Sequence, residues 1–368
     1  MTSSQPKSMN YALESMRGLC ALFIVLLHDR AGNFLSDNAF INNSHVAVDF
    51  FFVLSGYVIS LNYAHRIKDW IALRGFLFRR LTRIYPLHLF VLLVFVGIEC
   101  LKYLAEIRYG IVANIPAFTA SNLENFVLNL FLLHGVFADT QAFNPPSWSI
   151  SVEFITYAGF ALAVLTRRTG LIILVALLAS MAFILRFHNG LLEDGSSYQL
   201  IRCIWSFAIG YFVFRFQSVS RHLGSLSQLA IFAVCVLGVI YLSGRNYEMF
   251  LSLLFGLMVL SLINRDLVVS RMLQLRLFTY LGAISYSVYM LHSMVYWFTT
   301  QVFRFVVPQF APEGWQPMES IVFTVLSVSL TVLAAHVTYH AIEMRFYTRR
   351  AAKPQRLELD RLASAPGE

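Results

Sequence analysis

An arginine and a histidine share one apolar segment near the start of the chain. Arg17 and His28 lie eleven positions apart within residues 13–28, which are otherwise mostly apolar. In an α-helix this spacing places both side chains on one face, about 16 Å apart along the axis. Ionisable groups are costly in hydrocarbon, so such a pair indicates a functional site. The same spacing is equally compatible with a second interpretation, in which the arginine marks the cytoplasmic end of a span and the histidine lies at the opposite interface.

Further polar residues occur near the ends of other apolar segments, at the same predicted depth as His28. They include two carboxylates, a second histidine and an arginine: Asp49, Glu153, His292 and Arg202. Ser147 and Trp148 precede Glu153, and Tyr286 and Tyr289 precede His292. Because these residues come from separate segments, their convergence at one depth predicts a site. At such a site His28 could act as a general base, with Glu153 or Asp49 orienting its imidazole.

A cluster of three arginines precedes the third apolar segment. Arg79, Arg80 and Arg83 have i, i+3 and i, i+4 spacings, so a helix presents their guanidinium groups from one side. Arginines arranged in this way can bind phosphate oxygens in pairs. Attraction of the same cluster to anionic lipid is the alternative.

The elements that position these residues are predicted to be membrane-spanning helices. The 368 residues are 58% hydrophobic and 13% charged, which indicates an all-α, polytopic membrane protein. The apolar runs predict about ten transmembrane helices, at residues 13–29, 47–63, 84–104, 148–166, 170–187, 199–217, 226–243, 248–263, 277–300 and 319–342. We expect one membrane domain at residues 11–345, a disordered N-terminus at 1–10 and a basic cytoplasmic tail at 346–368.

The charge pattern gives the orientation of these helices. The formal net charge of +8 comes from short clusters between apolar runs, so it indicates membrane topology and not nucleic-acid binding. Most lysines and arginines fall on one side of the predicted spans, which places both termini in the cytoplasm. The four cysteines have no metal-binding spacing. His336, His340 and Glu343 favour hydrogen bonding between helices, and we expect no metal.

Together these features suggest a reaction that spans the membrane. A coenzyme A thioester has phosphates for the arginine cluster and a long arm that could carry an acyl group toward His28. His28 would then take the proton of an acceptor hydroxyl. A proton-coupled transporter or flippase of a glycolipid or small metabolite, with the histidines and carboxylates as a proton relay, is the alternative.

Five sequence motifs resemble those of the membrane-bound acyltransferase family 3, bacterial O-acyltransferases of surface polysaccharides, Nod factors and glucans. In chain order the matching stretches are ESMRGLCALFIVLLH, VAVDFFFVLSGYVIS, FLFRRLTRIYPLH, PPSWSISVEF and ISYSVYMLH. The resemblance covers nearly all the predicted spans. Where family members often have a glutamate and a glutamine after Glu153, this chain has Phe154 and Ile155.

The resemblance implies an enzyme of the bacterial inner membrane with a defined set of site residues. His28 would be the catalytic histidine and Arg17 would act with it, while Arg79, Arg80 and Arg83 would serve the acyl-CoA side. Ser147, Trp148 and Glu153 would belong to the acceptor side or the catalytic core. The expected donor is acyl-CoA, with acetyl-CoA as the first candidate. The expected partners are membrane lipid and a carbohydrate or glycolipid acceptor.

Overall fold

The computed structural model describes residues 10–29, 31–138, 142–192, 198–306 and 317–346, and within these ranges it is helical without a strand. Ten helices of 13 residues or more are present in this part of the chain. They are α1 (Tyr11–Leu27), α2 (Ala47–Tyr63), α3 (Trp70–Tyr109), α4 (Trp148–Leu165), α5 (Thr169–His188), α6 (Gln199–Arg215), α7 (Ser225–Leu242), α8 (Leu251–Ile263), α9 (Arg276–Val306) and α10 (Pro317–Thr338). The predicted tail and nearly all of the predicted N-terminal segment lie outside the described residues.

These ten helices fall on the ten predicted spans, within a few residues at most boundaries. Six of them are long and apolar enough to cross a membrane, namely α2, α3, α4, α5, α7 and α10. Helices α1 and α6 have 17 residues each and α8 has 13, which is short of the about 20 needed for a full crossing, whereas α2 reaches 20 residues together with the helical turn Ser44–Val46 that precedes it. The all-helical membrane fold is therefore confirmed, whereas ten crossings and the side of the termini remain predictions.

Helix α3 differs most from its predicted boundaries. Its 40 residues begin at the N-cap Asp69, whose side chain accepts a hydrogen bond from the backbone N–H of Ala72, and they end at Gly110 with φ of +63°. The helix continues through Pro86. At 1.5 Å per residue it is about 60 Å long, roughly twice the hydrocarbon thickness. The arginine cluster is thus one rigid unit with the apolar span that follows it.

Glycines allow the central helices to approach each other closely. Where α1 crosses α9, a Cβ atom on Gly18 would lie 2.6 Å from the backbone N of Gly282. Where α2 crosses α6, a Cβ atom on Gly210 would lie 2.0 Å from the carbonyl oxygen of Val53. Such distances leave no room for a larger residue, as is common where membrane helices pack through small residues. These two crossings place Arg17 against α9 and Asp49 against α6.

The segment between α3 and α4 contains two short helices, Leu123–Leu130 and His134–Phe137. The break at residues 131–133 leaves both helices too short to cross a membrane alone. His88 of α3 contacts the carbonyl oxygen of Asn129 through its Nε2 at 2.9 Å. This contact fixes the segment against the bundle beside the start of α4.

Candidate active site

A cavity of about 690 Å³ lies between α1, α2, α3, α4 and α9. We call its two limits the arginine end, where Arg80, Arg83 and Arg265 lie, and the histidine end, toward His28 and His292. Of the predicted site residues, six line the cavity: Arg17, Arg80, Arg83, Glu153, Tyr286 and Tyr289. The fold therefore brings most of the predicted donor-side residues and one predicted carboxylate to one cavity.

Arg17 is held against α9 by two hydrogen bonds. Its Nε donates to the hydroxyl of Ser285 at 2.7 Å, and a terminal nitrogen donates to the carbonyl oxygen of Gly282 at 3.1 Å. Glu343 lies nearby, hydrogen-bonded to Ser287, and both Arg17 and Arg83 act on its carboxylate electrostatically. This partly buried carboxylate thus balances part of the positive charge of the two arginines.

Arg79 and Arg80 both lie over the ring of Tyr63, at 5.6 Å and 5.2 Å from its centre. Only one of them, however, contributes to the cavity wall. Arg80 lines the cavity and hydrogen-bonds the hydroxyl of Tyr63 at 3.2 Å, whereas Arg79 is exposed and is not part of the cavity wall. The Nε of Arg80 is buried and has no hydrogen-bond partner within the described part of the chain. Arg80 therefore has a free N–H group next to the space where a phosphate could bind.

Glu153 lies in the wall of the cavity, one helical turn before Tyr157. Its Oε1 accepts hydrogen bonds from the hydroxyl of Tyr157 at 2.6 Å and from the hydroxyl of Ser55. A carboxylate held by two hydroxyl groups has a fixed orientation toward the cavity. Tyr157 and Ser55 were missed by the sequence analysis, although the i, i+4 spacing of Tyr157 from Glu153 is a signal that could have found it.

Aromatic rings close the cavity toward the histidine end. The rings of Phe51 and Tyr289 pack edge to face with centres 5.7 Å apart, and both residues line the cavity. The hydroxyl of Tyr289 lies 2.9 Å from that of Ser149 and donates to the carbonyl oxygen of Pro146 at 2.9 Å. The ring of Tyr289 is 5.9 Å from that of His292, so this tyrosine joins the cavity to the histidines. Tyr286 is fixed separately, through a hydrogen bond from its hydroxyl to the carbonyl oxygen of Ile84.

His28 and His292 form a pair of imidazoles beyond this aromatic closure. Their ring centres are 4.9 Å apart; His28 is exposed and His292 is fully buried. The Nδ1 atom of His28 lies 2.8 Å from the carbonyl oxygen of Ile24, and that of His292 lies 2.6 Å from the carbonyl oxygen of Tyr289. Because a carbonyl can only accept, we assign the proton of each neutral ring to Nδ1. The Nε2 atoms then carry the lone pairs, as a general base at His28 requires.

Two predicted site residues, Asp49 and Arg202, contact each other. The side chains are fully buried, with an ion-pair distance of 2.8 Å, and the hydroxyl of Ser206 donates to Asp49 at 3.0 Å. The guanidinium of Arg202 lies 5.4 Å from the ring centre of Trp148. Neither Asp49 nor Arg202 lines the cavity. Asp49 is therefore placed where it stabilises the packing of α2 and α6, away from the imidazole that it was expected to orient.

Ser147 and Trp148 belong to the packing that surrounds the start of α4. The hydroxyl of Ser147 is buried, donates to the carbonyl oxygen of Asn144 at 2.7 Å and lies 3.0 Å from Nε2 of His134. Burial, and secondly the stacked imidazole of His88, lower the pKa of His134 to about 3. His134 is therefore a neutral partner for Ser147. Neither Ser147 nor Trp148 lines the cavity, whereas the neighbouring Ser149 contributes to its wall.

The residue after His28 is part of a network that the sequence analysis missed. Asp29 accepts hydrogen bonds from the hydroxyl of Thr324 and from the backbone N–H of Ala31. Asn33 donates to the same threonine at 2.6 Å and to the carbonyl oxygen of Ser320 at 3.1 Å. The end of α1, and with it His28, is thereby fixed to α10. The adjacency of Asp29 to His28 was the available signal, but its side-chain partner Thr324 is 295 positions away.

Comparison with known families agrees with this site. The profile of a family described as an acyltransferase domain matches residues 10–340, which contain every residue of the site described above except Glu343. The chain belongs to this acyltransferase family. Its apolar helices, six of which are long enough to cross a membrane within the described residues, indicate a multi-pass membrane protein. No solved structure gives a significant match.

Two curated proteins share shorter regions with this acyltransferase. It is 35% identical over 91 residues to "Protein 2 in picA locus" of Rhizobium radiobacter, covering 24% of this chain and 46% of that protein. It is 30% identical over 161 residues to "Acyltransferase MdmB" of Streptomyces mycarofaciens, covering 41% of this chain and 38% of that protein. The chain thus spans less than half the length of either relative.

Proposed function

We propose that this protein is an integral membrane O-acyltransferase of the bacterial inner membrane. It takes an acyl group, with acetyl as the first candidate, from acyl-CoA in the cytoplasm and transfers it to a hydroxyl of a carbohydrate or glycolipid at the outer face. The observation that carries the proposal is the cavity, which has Arg17, Arg80 and Arg83 in its wall and ends at Tyr289, the residue packed against His292 and close to His28.

The donor would be recognised at the arginine end. The phosphates of coenzyme A would bind Arg80 and Arg83, whose guanidinium groups match phosphate oxygens. Arg17 would contact the donor further along the cavity. About 16 Å of α1 separates Arg17 from His28, so an extended arm is needed to bring the thioester to the imidazole. The Phe51–Tyr289 contact would have to open for this arm, because it separates the cavity from the histidine pair.

The chemistry would use His28 as a general base and then as a general acid. Nε2 of His28 takes the proton of the acceptor hydroxyl while its oxygen attacks the thioester carbonyl carbon. A C–O bond forms, the C–S bond breaks, and the proton passes from His28 to the thiolate of coenzyme A. The carbonyl of Ile24 holds Nδ1–H and stabilises the imidazolium in between. Neither Asp49 nor Glu153 is required for this cycle.

The experiment compares surface glycans from a deletion strain that carries either the wild-type gene or His28→Ala. We expect mass spectrometry to detect an added acyl mass with the wild type and none with His28→Ala, while both proteins are present in the membrane at similar levels. Purified wild-type protein should also release CoA-SH from acetyl-CoA in the presence of the glycan. Full acylation by His28→Ala would contradict the proposed role of the histidine, and substrate movement without CoA-SH release would favour transport.

A further inference from the structure

Two polar side-chain atoms on α9 are buried without a hydrogen-bond partner. Within the described part of the chain, neither Nε2 of His292 nor the hydroxyl of Tyr296 has a partner, although their residues are 0% and 8% exposed. They lie at i, i+4 on the same helix and therefore on the same face. A buried polar group left unsatisfied costs about 1–3 kcal/mol, so two of them side by side indicate a place where a polar ligand binds.

Both groups lie next to the end of α1 that carries His28. The ring of His292 is 4.9 Å from that of His28, and the carboxylate of Asp29 acts electrostatically on the hydroxyl of Tyr296. Asp29 is itself held by Thr324 and Ala31, so the geometry of this corner is fixed. The two unsatisfied groups therefore lie on α9 directly beside His28 and belong to the same site.

The hydrogen-bonding character of these groups restricts what can bind. Both histidines donate Nδ1–H to a backbone carbonyl, so both Nε2 atoms are acceptors; that of His292 is buried without a donor, and that of His28 belongs to an exposed side chain that an acceptor hydroxyl can reach. A single hydroxyl has one proton and can satisfy only one of them. A second hydroxyl could donate to His292 and accept from Tyr296, whose O–H is able to donate. The two oxygens must be close, because the two imidazoles are in contact.

We propose that the acceptor presents two hydroxyls on adjacent carbons, as in a 1,2-diol of a sugar ring. The hydroxyl that is acylated faces Nε2 of His28, and its neighbour donates to Nε2 of His292 and accepts from the hydroxyl of Tyr296. This inference rests on the proposed O-acyl transfer and defines its acceptor more narrowly. It excludes an isolated alcohol as the preferred acceptor, because such an alcohol would leave His292 and Tyr296 unsatisfied.

The first test locates the acyl group on the glycan that the wild-type protein modifies. Nuclear magnetic resonance of that glycan should show acylation at a hydroxyl whose adjacent carbon carries a free hydroxyl. Acylation at a hydroxyl without such a neighbour would overturn the diol proposal while leaving O-acyl transfer intact. If the wild type acylates no glycan at all, the proposed function fails and the diol proposal fails with it.

The second test measures transfer of radiolabelled acetyl from acetyl-CoA to the same glycan by membranes that contain Tyr296→Phe or His292→Ala. We expect each variant to reduce the rate about 3- to 10-fold, the effect of one hydrogen bond, with unchanged stabilisation by coenzyme A in a thermal-shift assay. Tyr241→Phe and His222→Ala are matched controls at exposed positions and should retain the wild-type rate. Tyr296→Phe removes a single oxygen, so it decides the outcome if His292→Ala does not fold. A rate within twofold of wild type for a folded Tyr296→Phe would contradict the proposal.

Discussion

The two carboxylates predicted to assist His28 occupy different environments in the structure. Glu153 faces the cavity and is held by hydroxyl groups, whereas Asp49 is fully buried in an ion pair with Arg202. A buried ion pair adds little net stability, but removing one partner leaves an uncompensated charge in the interior. Substitutions at the two positions should therefore differ in their effect on protein stability.

We expect Asp49→Asn to act on folding. The uncompensated charge of Arg202 should destabilise the protein by about 3–5 kcal/mol, which would be seen as a lower melting temperature and less protein in the membrane. Glu153→Gln is the comparison, because its position is open to the cavity and the amide oxygen still accepts hydrogen bonds; its melting temperature should stay close to wild type. If Asp49→Asn is as stable as the wild type but has lost activity, this result would indicate a catalytic role for Asp49.

The neighbouring arginines 79 and 80 allow a matched comparison at the donor side. Arg80→Ala should weaken binding of coenzyme A about 10- to 100-fold, since charge-assisted hydrogen bonds contribute about 1.5–3 kcal/mol. Arg79→Ala removes the same charge from an exposed position and should change the affinity much less. Isothermal titration of the purified proteins with coenzyme A measures both. Equal losses would mean that net charge matters more than the position in the cavity wall.

At the level of helices, two glycine-mediated crossings determine which side chains meet. Gly18 and Gly282 bring α1 against α9, which sets the contacts of Arg17, and Gly56 and Gly210 bring α2 against α6, which allows Asp49 to reach Arg202. Backbones that approach this closely have no room for a methyl group. The site is therefore sensitive to changes at positions that carry no chemistry.

Gly210→Ala should separate α2 from α6 and destabilise the protein by at least about 1–3 kcal/mol, the usual cost of overpacking. The added Cβ would lie 2.0 Å from the carbonyl oxygen of Val53. Because this oxygen belongs to the backbone of α2, relieving the clash requires the whole helix to move. Gly97→Ala and Gly159→Ala are controls, because nothing lies within 4 Å of a Cβ at those helical positions. Thermal unfolding in detergent should separate the three variants, and equal melting temperatures would show that the α2–α6 crossing is adaptable.

For the whole molecule, the proposed reaction requires the arginine end and the histidine end to face opposite sides of the membrane. Exposed single cysteines can test this in a Cys100→Ser background, since the other three native cysteines are buried. Arg79→Cys should react with a membrane-impermeant thiol reagent in inside-out vesicles, and His28→Cys should react in intact spheroplasts. Labelling of both from the same side would contradict transfer across the bilayer.

The sequence alone determined the fold class and most helix positions. Runs of apolar residues predict helices because a backbone in hydrocarbon must satisfy its own hydrogen bonds, whatever the partners of each helix. Spacing within one helix likewise placed Arg17 and His28 on one face and Arg80 and Arg83 together. These are local properties of the chain, so they could be predicted without knowing the packing.

The tertiary structure decided which polar residues meet. Asp49 and Arg202 were predicted to lie at the same membrane depth as His28. In the structure, the rotation of α2 and α6 about their axes makes the side chains of Asp49 and Arg202 face each other. The same packing selected Arg80 over Arg79 for the cavity and brought Thr324 to Asp29 across 295 positions. Rotation and long-range pairing depend on how side chains of separate helices fit together, and no periodicity in a single segment contains that information.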